Sequence, residues 1–139
     1  MSTNNLYTPT YTLKPFGENI WIVDGEIISF YGLPFTTRMT VVKLPSGDLW
    51  IHSPIDLTNE LKKELDNLGP VKYLISPNKI HYWYLDEFQK NYPKAITFAS
   101  DGVQKRSQRA GISIFCIKNR LVQKKLYDMP SKLVGKIIK

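Results

Sequence analysis

Leu49–Phe88, LWIHSPIDLTNELKKELDNLGPVKYLISPNKIHYWYLDEF, decides the architecture. It reads as strand, polar loop, helix, tight turn, strand, polar loop, helix. Leu49–His52 and Val71–Ile75 are the strands. Each ends in a loop carrying a histidine: His52-Ser53-Pro54 after the first, and Ser76-Pro77-Asn78 running on to His81 after the second. Between them Leu57, Leu61, Leu65 and Leu68 keep helical spacing, so one face is apolar and Lys62, Lys63, Glu64 and Asp66 face water. Thr58 is the expected N-cap, its hydroxyl accepting from a free N–H of the first turn. Glu60 suits the positive end of the helix. Gly69-Pro70 stops it, since Gly can turn left-handed and Pro cannot continue.

A second helix is expected from about His81 to Asn91, ended by Pro93, with Leu85, Phe88 and Tyr92 on its buried face. Ala95–Ala99 follows as a strand. The alternation of strand and helix implies an α/β fold with a partly parallel, mixed sheet and helices on at least one face. In such sheets ligands gather where strands end at their carboxyl side. His52 and the loop to His81 stand there.

Upstream, the chain reads as antiparallel hairpins. Asn19–Val23 and Glu26–Phe30 are strands joined by a two-residue Asp24-Gly25 turn. Pro15-Phe16-Gly17 is a turn signal, and Gly32 and Pro34 break the pattern over Tyr31–Phe35. Arg38–Leu44 is an alternating strand, and Pro45–Asp48 turns the chain into Leu49. Residues 1–12 form a loose arm whose Tyr7 and Tyr11 dock on the body, residues 13–106 form the domain, and residues 107–139 form a basic tail. In the last part, Ile112–Ile117 reads as a strand and Asn119–Tyr127 as a short helix.

Composition narrows the classes. A hydrophobic fraction of 42% over 139 residues, with eight Tyr, six Phe and three Trp, is enough to bury a core. No apolar run approaches the roughly 18 residues of a membrane span, and the N-terminal residues lack the charged-then-apolar order of a secretory signal. The single Cys116 cannot pair within the chain, so a reducing, cytoplasmic setting is expected and a buried hydrophobic role for the thiol. The net charge of +7 is uneven: residues 1–103 hold nine Lys/Arg against eleven Asp/Glu, whereas residues 104–139 hold ten against Asp128 alone. Such a tail can bind nucleic acid. It carries only Phe115 and Tyr127 as aromatics and no reading motif, so a solvated end is expected and nucleic acid is not the expected partner.

Glycine-rich phosphate loops, CxxC pairs, HExxH and GxSxG are all absent. The two histidines are therefore the chemistry-bearing residues to place. His52 can act as ligand or base in a cleft, or can cap its loop. Around His81, Asn78 can cap the turn and Lys79 can put a charge at the mouth. The alternative is that Asn78 and His81 satisfy backbone groups in a tight strand-to-helix turn. Tyr82, Trp83 and Tyr84 read as core and rim aromatics, and Asp86 and Glu87 as residues suited to a helix start.

Leu13–Gly25, Thr37–Thr58 and Leu68–Phe88 together resemble an uncharacterised domain-of-unknown-function family related to the metallo-β-lactamase-like fold, the metallo-hydrolase/oxidoreductase superfamily. The resemblance covers about residues 13–106. It implies the N-terminal half of an αββα sandwich and a hydrolase-like activity on an unknown small molecule. It also implies a divalent metal, with His52 at the first strand end and His81 in the metal-binding loop. The pattern departs from that expectation: HxHxDH is missing, and His81-Tyr82 stands where the family commonly has a His-His pair. Tyrosine replaces imidazole poorly at zinc, and Lys79 would add a cation beside it. A metal site weakened or lost is thus expected, with His52 and His81 as ligands or proton carriers, Asn78 orienting and Lys79 attracting an anion. A half-sandwich would also leave a sheet face for self-association. The rival expectation is a non-catalytic binding module.

Overall fold

Alternation along Leu49–His52 sends Leu49 and Ile51 to one side of a sheet and Trp50 and His52 to the other. The structure, a computed structural model, describes residues 7–77, 84–99, 102, 103 and 105. Its elements are β1 (Lys14–Gly17), β2 (Ile20–Phe30), β3 (Leu33–Lys43), β4 (Leu49–His52), α1 (Asn59–Leu68), β5 (Val71–Ser76), α2 (Leu85–Asn91) and β6 (Ile96–Ala99). The strands form one six-stranded sheet in chain order. β1 to β4 are joined antiparallel. β5 and β6 are added parallel, because a helix carries the chain back before each of them. The expected mixed sheet, hairpins first and helix-linked strands second, is therefore present as an α+β fold. The second helix ends at Asn91 as expected but starts at Leu85, with Tyr84 as its N-cap, rather than near His81. The strand expected at Ile112–Ile117, the helix at Asn119–Tyr127 and the tail from 107 lie outside the described residues.

The hairpin was misplaced by sequence. Asp24-Gly25 is not a turn: β2 runs through it as one strand of 11 residues, and the register against β3 shifts between Asp24 and Ile27. A glycine within a strand often marks such an irregularity, and here it also permits a close approach. A Cβ on Gly25 would collide with the Thr37 hydroxyl and press on Ile55. The turn is Tyr31-Gly32, with φ of 52° and 74° and Phe30 paired to Leu33. Positive φ at both central residues is what a two-residue hairpin requires. Pro15-Phe16-Gly17 likewise lies in an edge strand, a position that tolerates proline.

One side of the sheet carries the main core. Val23, Met39, Val41, Leu49, Ile51 and Leu74 meet Leu61 and Leu65 of α1 and Leu85 and Phe88 of α2. The other side carries Ile20, Val42 and Trp50, all buried, with Leu44, Tyr73 and Ile75 against them. Thr58 caps α1 as expected, accepting from the Leu61 N–H at 3.1 Å. Glu64, expected to face water, instead accepts from the Thr12 hydroxyl at 2.7 Å and the Leu13 N–H at 2.8 Å. It thereby ties residues 12 and 13 to α1. Tyr11 and Tyr7 dock as expected. The Tyr11 N–H donates to the Asp24 carbonyl at 2.8 Å, and Arg38 stacks over the Tyr7 ring while holding the Asp24 carboxylate at 2.7 Å. Asp24 is buried, and Lys14 pairs with it from the other side. Burial of a carboxylate costs free energy unless charges and donors compensate it, and here two cations do.

Candidate functional site

β4 ends at His52, and the next six residues decide what surrounds the strand end. Ser53 has φ 56°, in the left-handed region that non-glycine residues seldom occupy. Its N–H donates to the Ile75 carbonyl at 2.9 Å, continuing the parallel ladder one residue past the strand. The segment expected to be a polar loop then dives inward: Ser53, Ile55 and Leu57 are buried. The apolar pair Ile55 and Leu57 explains this, since both join the core beneath α1 and α2.

His52 is half-buried on the sheet side opposite those helices. Its ring stacks on Trp50 with centroids 5.5 Å apart and planes at 21°. Its Nδ1 lies 3.1 Å from the Ser53 hydroxyl. If Nδ1 carries the proton and donates to Ser53, Nε2 has a lone pair and is a base or ligand atom. If the hydroxyl donates, Nε2 is the N–H. Either way two contacts fix the ring plane. Trp50 is 7% exposed, and its Nε1–H has no hydrogen-bond partner among the described residues. A buried donor left unmade is costly. The strand end thus holds an oriented imidazole beside a desolvated donor.

A second group lies on the other side of the loop. Glu87, in the first turn of α2, accepts from the Leu57 N–H at 3.4 Å. Burial, and then the charge and hydrogen bond of Asp56, push its carboxyl above the ordinary range, against the opposing pull of the Leu57 N–H. Tyr84 and Tyr11 are raised as well, first by burial, with Asp56 and Glu26 adding their negative charge. Asp56 thus bears on Glu87, Tyr84 and Tyr11, and Glu26 on the two phenols, where the loop, the β2 irregularity and α2 meet.

This has a measurable consequence. A carboxyl whose folded pKa is raised binds its proton more tightly in the folded state than in the unfolded one. Its ionisation then costs stability, a cost absent below the unfolded value of about 4.5 and complete above the raised folded value. Stability should fall as pH rises through that window. Glu87→Gln keeps an acceptor for Leu57 and offers an amide donor to Asp56. Its urea midpoint is expected to exceed that of the parent at neutral pH, with the difference shrinking toward about pH 4. Parallel midpoint-against-pH curves for the two proteins would contradict this coupling.

Of the residues that sequence singled out, the structure places His52. Asn78, Lys79 and His81 lie outside the described residues. Among the described residues, no three His, Cys, Asp or Glu side chains are grouped to hold a metal ion. No helix among them is long and apolar enough to cross a membrane. Sequence reading missed Trp50 as the partner of His52, although the two-residue spacing on a strand puts both on one side. It had no signal for Tyr11, Glu26 and Asp56 meeting Tyr84 and Glu87, because no local pattern links them.

A family described as a domain of unknown function (DUF4336) matches residues 17–120, and the chain belongs to it. No curated protein matches the chain.

Proposed function

We propose that this member of the family is hydrolase-like, acting on a small molecule at the carboxyl ends of β4 and β5 with His52 as proton carrier. We further propose that the sheet is related to half of a metallo-β-lactamase-like sandwich. Antiparallel hairpins followed by helix-linked parallel strands, with both described helices on one side, support that relationship. The observation that carries the functional reading is the His52 ring held between Trp50 and the Ser53 hydroxyl. Backbone strain supports it: a buried serine in the left-handed region directly after the histidine is the sort of cost that structures retain at working sites.

The chemistry is general acid–base catalysis. The imidazole, oriented by Trp50 and Ser53, takes or gives the proton, and the Trp50 N–H is a donor for a polar group on the bound molecule. In the same proposal His81 is the second proton carrier, Asn78 orients it or the substrate, and Lys79 attracts an anionic group. The described donor set does not make a metal centre, and no step here passes through one.

Turnover of small chromogenic carboxylic and phosphate esters by the full chain, with metal content measured alongside, tests the proposal. His52→Gln is expected to lower turnover by about 10²- to 10⁴-fold with an unchanged circular dichroism spectrum. Equal turnover by the two proteins, or no turnover of any ester by the parent, would overturn it.

A second reading is favoured by the same stack. An imidazole fixed on both sides also serves to hold the β4 loop in shape for a non-catalytic binding module. That reading predicts a stability loss in His52→Gln and no change in any chemical rate.

A further inference from the structure

We propose that residues 7–13 form a strap that sets the segment after His52, so that docking of the arm and packing of Ser53–Leu57 are coupled. The arm contributes no strand or helix, and none of its residues is buried. It is held at its ends and its middle. At one end Arg38 lies over the Tyr7 ring at 4.9 Å, and the Lys14 ammonium donates to the Tyr7 carbonyl at 2.7 Å. At the other, the Glu64 carboxylate of α1 takes both Thr12 and Leu13. Between them Tyr11 grips β2 on either side of Gly25. Its N–H donates to the Asp24 carbonyl at 2.8 Å, and its hydroxyl accepts from the Glu26 N–H at 3.3 Å. Ordering the whole arm costs entropy that so few bonds exceed only narrowly, so the strap is poised to release.

The route from strap to loop runs through Gly25. The pairing of β2 with β3 is interrupted between Asp24 and Ile27, so the backbone that Tyr11 holds lies where the ladder is irregular. Gly25 in turn lies against Ile55, whose Cδ1 would stand 3.3 Å from an added Cβ. Ile55 is buried in the main core and draws the chain after β4 inward. The arm, the β2 irregularity, Ile55 and the strained Ser53 beside His52 thus follow one another without a gap. Packed chains of this kind are how two segments bias each other.

Electrostatics put the same groups side by side. The Tyr11 phenol is raised first by burial, against the pull of the Glu26 N–H, and then by the charges of Glu26 and Asp56. Asp56 belongs to the loop, so Tyr11 stands near both β2 and the segment that it sets. Tyr11 is therefore a positioning residue, acting on the loop through the backbone of β2. The coupling is independent of catalysis, and it is measurable whether or not His52 moves a proton.

Residue-resolved amide exchange of the full chain, followed by nuclear magnetic resonance, tests the coupling. The Tyr11 and Leu13 amides report the arm; those of Ser53 and Leu57, bonded to Ile75 and Glu87, report the loop. Tyr11→Phe keeps the ring and loses the hydroxyl. It is expected to speed exchange at Leu13, Ser53 and Leu57 by a common factor of about three to ten. Glu64→Ala keeps α1 a good helix and is expected to speed Tyr11, Ser53 and Leu57 at least about tenfold. Met39–Val42 is expected to keep its rates in both variants. Faster exchange confined to the arm overturns the proposal, as does a parent whose Tyr11 and Leu13 amides exchange at the unprotected rate. If Glu64→Ala opens every segment, Tyr11→Phe alone decides. Equal acceleration of Met39–Val42 in both variants also overturns it, because the whole domain then opens and no separate strap exists.

Discussion

Phe88→Ala is expected to destabilise the protein by about 3–5 kcal/mol, the range for removing a fully buried phenylalanine. Phe88 has no exposed surface and is among the largest fully buried side chains. It is the main anchor of α2, a helix of only seven residues with no side-chain cap at its N-terminus. So short a helix has little stability of its own and depends on tertiary packing. Among the described residues it is also tied by Leu85 in the core, by the Glu87 carboxylate accepting from the Leu57 N–H, and by the Gln89 amide donating to the buried Thr97 hydroxyl at 2.8 Å. The loss should therefore reach beyond stability. Glu87 and Tyr84 ride on this helix, so the raised Glu87 carboxyl should return toward its ordinary range as α2 loosens. Urea unfolding measures the first effect, and nuclear magnetic resonance titration of the Glu87 carboxyl the second. A cost below about 1 kcal/mol would mean that α2 is not held by this side chain.

Gly69→Ala is expected to cost about 1–3 kcal/mol, the usual price of forcing atoms into a filled site. Gly69 follows α1 and was expected there for its left-handed freedom. Its φ is 165°, extended backbone open to any residue. Glycine is needed for a different reason: a Cβ would run into the carbonyl oxygen of Gly47. Backbone against backbone cannot be relieved by turning a side chain. Both segments are also pinned, Gly47 by its N–H to the Leu44 carbonyl and Pro70 by its carbonyl to the Leu49 N–H. Gly32→Ala is the comparison. Nothing lies within 4 Å of a Cβ there, and the cost is the positive φ of 74° alone, about 1–2 kcal/mol. A Gly69→Ala midpoint equal to that of the parent would show that the two turns move apart freely.

Sequence determined the elements whose causes are local. Thr58 as cap, the leucine spacing of α1, the apolar β4 and β5, and the helix before each parallel strand all follow from neighbours a few residues apart. Such neighbours also placed His52 at a strand end. Tertiary structure decided whatever rests on contacts distant in the chain. Asp24-Gly25 has the composition of a turn, yet pairing with β3 and the nearness of Thr37 and Ile55 hold it in a strand, and the bend falls to Tyr31-Gly32. Glu64 reads as a solvent-facing helix residue, yet the arm at Thr12 and Leu13 takes its carboxylate. Ser53–Thr58 reads as a polar loop, yet Ile55 and Leu57 find the core and draw the chain in. The electrostatic influence of Glu26 and Asp56 on Tyr84 exists only because separate segments meet. A local pattern can specify a cap, a period or a break, but hydrophobic burial and charge pairing act through space, so the surroundings of His52 were settled by the packed sheet.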